Sequence, residues 1–220
     1  MPTQDSPQSK RPELGWVARE VQEEFPELHL IAVEIEAEVG SASPPSLARQ
    51  VRQISDRWSG ARAINLRREP VPAAYRVFFR HIGLDPDVTR TPIEAAIFER
   101  LMDGGFLSRG RLVDVLLLAL IETGVPVWAL DAATIDGPLG IRLSQGEPLG
   151  STDEARMLPV GQMVIADAHS ALAVLFGEIA AEHQPLPSTR RLMLFTVQVA
   201  GVSMMHVEEA LWMCTSALTD

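Results

Sequence analysis

Asp114 is the one charged residue in the run "LVDVLLLALI", Leu112 to Ile121. A lone buried carboxylate costs several kcal/mol unless it is partnered. Two chemistries account for a carboxylate at that place. It is either a helix-start group that accepts backbone N–H bonds at the positive end of the dipole, joined by Arg109 or Arg111, or a pocket carboxylate facing a ligand. Three further candidates close apolar segments. Asp131 ends "VWALD", where it either caps the turn Asp-Ala-Ala-Thr or faces a cleft. Asp167 and His169 sit two residues apart in "VIADAHSALAVLFGE". On a strand they share a face, and the carboxylate orients the imidazole; in a β-turn both are solvated. Glu178 follows Phe176-Gly177 at the end of the same stretch, either to hydrogen-bond a ligand hydroxyl or amine or simply as a surface group.

Other chemistries are not supported. The five histidines have no partner four residues on, and there is no CxxC or HExxH, so no metal site is expected. Walker, GxGxxG and GxSxG patterns are missing, so no cofactor is expected and no catalytic group is named. The single cysteine, Cys214, cannot form an internal disulfide; it fits an inert core thiol in a reducing cytoplasm. No apolar run is long enough for a membrane span. The net charge of −10 argues against non-specific nucleic-acid binding, yet residues 49–111 carry twelve arginines against seven acidic residues. Arg67, Arg68, Arg76, Arg109 and Arg111 belong to that segment. They either meet a phosphate backbone or occupy the wet faces of amphipathic helices.

The elements that must position these groups follow from periodicity. Leu14, Val17, Val21 and Phe25 predict a helix ended by Pro26. "LHLIAVEIEAEVG" alternates Ile31, Val33 and Ile35 with Glu34, Glu36 and Glu38, a strand with one acidic face. Ser46 is the expected cap of a helix burying Leu47, Val51, Ile54 and Trp58. A further helix runs from Val71 to Ile82 with Tyr75, Phe78 and Phe79, stopping at Gly83. Thr91, Pro92 and Glu94 write a capping box. Leu112 to Thr123 is too long and Leu-rich for a strand, and Gly124-Val125-Pro126 stops it as a helix. From there the pattern turns to short apolar strands, and "HVEEALWMCTSAL" closes the chain as a helix. The expectation is a disordered tail over 1–13, with no signal peptide, and one α+β domain over 14–220. Its helices lie in the first half, packed on mixed β-sheets formed mainly by the second.

Taken in order, these segments resemble the B3/B4 tRNA-editing domain of the phenylalanyl-tRNA synthetase β subunit, most closely its free-standing bacterial form. The resemblance rests on Val113-Asp114, Gly124-Val125-Pro126, Leu130-Asp131, Ile141-Arg142, Gly146-Glu147, Ile165-Ala166-Asp167 and Gly177-Glu178. It extends to the Tyr75–Ile82 helix with "TRTPIEAAIFERL", covering about residues 20–215. It implies a module that hydrolyses mischarged tRNA, binding the 3′-terminal adenosine and the wrong amino acid, with Glu178 at the place that recognises a tyrosine hydroxyl.

The chain departs from that pattern. Trp128 stands where the family has a site histidine, and Gly110, Arg111 and Leu117 stand where flanking asparagines are expected. An indole cannot orient a water, although an aminoacyl ester is already activated and the substrate's own hydroxyl can help. With Trp128, Leu117 and Leu130 near, the pocket implied is one for an apolar group. Two functions follow. One is a trans-acting aminoacyl-tRNA deacylase, with Asp114, Trp128, Asp131, Asp167, His169 and Glu178 at the substrate and the arginines on tRNA. The other is a module without catalysis that holds a small amphipathic ligand or a protein partner. Both require Asp114, Trp128 and Glu178 to border one concavity.

Overall fold

The computed structural model describes residues 11–58, 63, 65–151 and 155–219. The tail expected over 1–13 lies outside the described residues up to residue 10, and Glu13 already belongs to a strand. The elements are β1 (Glu13–Leu14), β2 (Trp16–Val17), α1 (Arg19–Glu24), β3 (His29–Glu36), α2 (Pro45–Asp56), α3 (Pro70–His81), α4 (Pro92–Asp103) and α5 (Arg111–Thr123). Then come β4 (Val127–Asp131), β5 (Gly140–Leu143), β6 (Met163–Ala166), β7 (Ala171–Val174), β8 (Arg191–Gln198) and α6 (Met204–Thr219). The architecture is α+β, with helices mostly early and strands mostly late.

Two four-stranded sheets form. One is antiparallel, in the order β1-β3-β8-β4. The other runs β2-β5-β6-β7 and is mixed, because β2 lies parallel to β5. Buried residues of both sheets share one core, among them Leu30, Leu130 and Leu194 with Ile141, Ile165 and Leu172. Tyr75 and Phe79 of α3 and Val207, Leu211 and Cys214 of α6 complete it. The Cys214 thiol is buried, and desolvation pushes its pKa up to about 12. A second cluster, with Val51, Ile54, Ile93, Ile97, Phe106 and Ile121, packs α2, α4 and α5 together.

The single helix expected over 14–25 is instead two short strands and then α1. The spacing is helical, but tertiary pairing wins: Leu14 pairs with Ile31 in one sheet and Val17 with Ile141 in the other. Gly15 is the crossing point. A Cβ there would lie 2.4 Å from the Leu139 carbonyl oxygen and 2.7 Å from Leu30 Cδ2, so only glycine lets the chain pass. Ser46 is not the cap either. Pro44 and Pro45 preset φ, and α2 starts at Pro45 without a side-chain cap. The Thr91–Glu94 capping box forms as expected, and Gly124 ends α5 with φ 74°.

Gly15→Ala forces backbone against backbone, and should cost about 1–3 kcal/mol as other overpacked sites do. Urea denaturation of the variant checks this; an unchanged midpoint would show that the two sheets can move apart there.

Candidate functional site

Asp114 occupies the first turn of α5 and is wholly buried. One carboxylate oxygen accepts from the Ser43 and Ser108 hydroxyls, each at 2.5 Å, and the other from the Arg109 amide at 2.9 Å. The group ties the loops before α2 and before α5 to the helix. With no exposed surface it cannot border an open concavity, contrary to the sequence expectation. Its partners are hydroxyls and an amide rather than the arginine side chains. The Arg109 guanidinium reaches Glu99 and Asp103, and Arg111 donates to the carbonyls of Ala217 and Leu218 at the end of α6.

Asp131, Asp167 and His169 come together around the segment that carries the chain from β4 to β5. Asp131 accepts from the Ala133 amide at 3.0 Å and the Thr189 hydroxyl at 2.6 Å. Thr134 meets Nδ1 of the buried His183 at 2.8 Å. Asp167 accepts from the amides of Asp136, His169 and Ser170 at 2.8–2.9 Å. Burial opposes its charge, but those N–H groups outweigh burial and hold the carboxyl below the usual range. The imidazole of His169 turns away from Asp167 and pairs with Asp136 at 2.9 Å, both side chains largely in solvent. Of the two alternatives for Asp167 and His169 the turn is the one formed, with Asp167 bonding the His169 backbone. Nothing in the sequence flagged the contacts Asp131–Thr189, Thr134–His183 and Asp136–His169, since each joins residues remote in sequence.

Trp128 and Glu178 lie at a different place, the seam between the sheets. Trp128 is half-buried and stacks on its cross-strand partner Phe195, centroids 5.6 Å apart and planes at 18°. Phe176, on the turn after β7, also packs against the indole, centroids 5.5 Å apart. It also meets Tyr75, Phe78 and Phe79 of α3 at 5.7, 5.8 and 5.3 Å. Phe176 is the one described non-glycine residue with positive φ, 58°. That conformation costs about 1–2 kcal/mol for a residue with a Cβ; aromatic pairs return about 0.5–1.5 kcal/mol each. Glu178 leaves the same turn into solvent, 61% exposed, with Arg156 at 3.5 Å. The sequence pointed to Trp128 and Glu178 but not to Phe176, which reads there as one more strand residue.

Of the arginines, Arg76 is buried and bonds Glu94 at 2.5 Å and Asp87 at 2.9 Å. Burial works against its charge, but the two carboxylates outweigh it and raise its pKa. Its guanidinium is spent on these two carboxylates, so of the two alternatives the phosphate contact fails there. Arg67 shares Glu94 and Asp87 from an exposed position, and Arg68 is exposed. Among the concavities lined by described residues are four of about 220–650 Å³; of the expected site residues, Arg111 lines one of these four and the others line none of them. Among the described residues no three His, Cys, Asp or Glu side chains are placed to hold a metal ion. No helix there is long and apolar enough to cross a membrane.

Comparison with known proteins points one way. A family model described as B3/4 domain matches residues 74–216, about two thirds of the chain. The phenylalanine–tRNA ligase beta subunit of Xylella fastidiosa (strain Temecula1 / ATCC 700964) is 38% identical over 85 residues, 39% of this chain and 10% of that protein. The subunit of the same name from Xanthomonas euvesicatoria pv. vesicatoria (strain 85-10) is 32% identical over 139 residues, 61% of this chain and 17% of the relative. The chain thus corresponds to a small part of these much longer proteins.

Two substitutions test the buried carboxylates. Asp114→Ala should cost about 1–3 kcal/mol for each buried donor left without its acceptor, read as a fall in the urea midpoint. Asp167, with a lowered folded pKa, contributes stability that is fully present above about pH 4 and is lost as pH falls through the folded value. The stability gap between wild type and Asp167→Asn should therefore be widest near neutrality and shrink in acid. A gap independent of pH would contradict the assignment.

Proposed function

The chain belongs to the B3/4 domain family, and on that premise we propose that it binds the aminoacyl-bearing 3′ end of a tRNA and hydrolyses the ester in trans. The observation that carries this is the seam. Trp128 and Phe176 form a half-buried aromatic wall between the sheets, and the turn that holds Phe176 puts the Glu178 carboxylate into solvent. An aminoacyl group needs such a pair: an apolar wall for its side chain and a carboxylate for its ammonium or hydroxyl. Water adds to the ester carbonyl carbon, the bond to the ribose oxygen breaks, and that oxygen takes the proton. The substrate's neighbouring ribose hydroxyl positions the water, which suits a site without the family histidine.

The arginines supply the electrostatic part. Arg67 and Arg109 are half-exposed; the Arg67–Asp87 and Arg109–Glu99 pairs lie at the surface, and such pairs contribute about 0–1 kcal/mol, although Arg67 also bonds the buried Glu94. Their guanidinium groups can exchange a carboxylate for a phosphate at little cost, and Arg68 adds a third exposed charge. Arg76 and Arg111 are committed to the fold.

A second reading has its own support. The seam offers rings where hydrolysis needs a polar group to hold a water. That favours a module that binds an amphipathic ligand or a protein partner without turnover.

A panel of purified aminoacyl-tRNAs separates the two. The first reading expects release of at least one amino acid above the buffer rate, and Glu178→Ala to change which one. Salt-sensitive tRNA binding without release would leave binding alone; no release and no tRNA binding would remove tRNA from the account.

A further inference from the structure

The aromatic cluster at the seam has walls on regular elements and one member on a turn. Tyr75 is fully buried and spends its hydroxyl on the Val197 carbonyl at 2.9 Å. Phe79 is 1% exposed. Trp128 is backed by Phe195, its register partner on β8. These rings are held by α3 and by the antiparallel sheet. Phe176 packs against both but belongs to neither. It sits on the short turn in which the Glu178 carbonyl accepts from the Val174 amide and the Val174 carbonyl from the Gly177 amide. Its ring lies among those of Tyr75, Phe78, Phe79 and Trp128 and is itself only half-buried, so one side of it meets solvent.

The backbone at Phe176 has the left-handed form that glycine adopts freely. A glycine here would leave the turn intact and the space between Tyr75, Phe78, Phe79 and Trp128 open. The chain puts a phenyl ring in that space instead. We infer that Phe176 is a size-limiting residue: its ring occupies the aromatic cage and excludes from it any ligand group as large as an aromatic ring. The inference rests on the reading that the seam receives an aminoacyl group. It then narrows that reading, since a benzyl side chain finds the cage already filled, whereas hydrogen, methyl and hydroxymethyl side chains do not need it.

Phe176→Gly removes the ring and relieves the backbone. A dry apolar cavity of about 150 Å³ can take up benzene, so the opened cage should bind a free aromatic. Two measurements read this. Indole should raise the melting temperature of Phe176→Gly and leave wild type unmoved. Phe176→Leu, which keeps an apolar contact if the glycine variant folds poorly, should respond between the two. In deacylation assays wild type should favour alanyl- over phenylalanyl-tRNA at least tenfold, and Phe176→Gly should narrow or invert that ratio. Indole uptake by Phe176→Gly or Phe176→Leu alone, with no aminoacyl-tRNA turned over by any form, sinks the aminoacyl reading but upholds the exclusion by Phe176. Stabilisation of wild type by indole, or equal turnover of both tRNAs by wild type, overturns the inference. So does a failure of indole to stabilise either variant.

Discussion

The ring of Phe176 touches Tyr75, Phe78, Phe79 and Trp128 at once, and these contacts join three parts of the chain distant in sequence. They hold the end of β7 in the mixed sheet against β4 of the antiparallel sheet and against α3. The attraction is dispersive and edge-to-face, short in range, and strong enough in sum to hold a phenylalanine in a conformation it disfavours. Everything proposed about the seam depends on that arrangement. The position of Glu178 and the half-exposure of Trp128 both follow from where this one turn is pinned.

The carboxylates that draw the eye in the sequence mostly hold the fold together. Asp114, Asp131 and Asp167 each accept two to four hydrogen bonds from hydroxyls and amides of neighbouring loops. Burying a charge is tolerable on those terms. The effect is mechanical. Asp131 and Asp167 fix both ends of the passage from one sheet to the other, and Asp114 fixes the loops beneath α5. That leaves Glu178 as the acidic candidate in solvent beside the aromatic seam.

The helices and most strands were legible because their signals are local. The Thr91–Glu94 box, the Gly124 stop and the alternation of Ile31, Val33 and Ile35 each act within a few residues. The N-terminal segment was misread because Leu14, Val17, Val21 and Phe25 have helical spacing, while Gly15 must pass between Leu139 and Leu30, which are remote in sequence. The site was half legible for the same reason. Trp128 and Glu178 were found through motif order, which spans the fold. Phe176 was not, since neither its positive φ nor its four ring contacts leave a trace in local periodicity. Arg76 looked like its neighbours until the fold buried it against Glu94 and Asp87.

The claim that the seam receives an aminoacyl group has a direct spectroscopic reporter. Tryptophan indole N–H groups give separate NMR resonances, and the chain holds four tryptophans, with Trp128 assigned by its loss in Trp128→Phe. Titration with a non-hydrolysable 3′-alanylamino-adenosine should move the Trp128 resonance in a saturable way and leave Trp16, Trp58 and Trp212 in place. Saturable binding by calorimetry with the Trp128 resonance unmoved would put the ligand elsewhere and contradict the account.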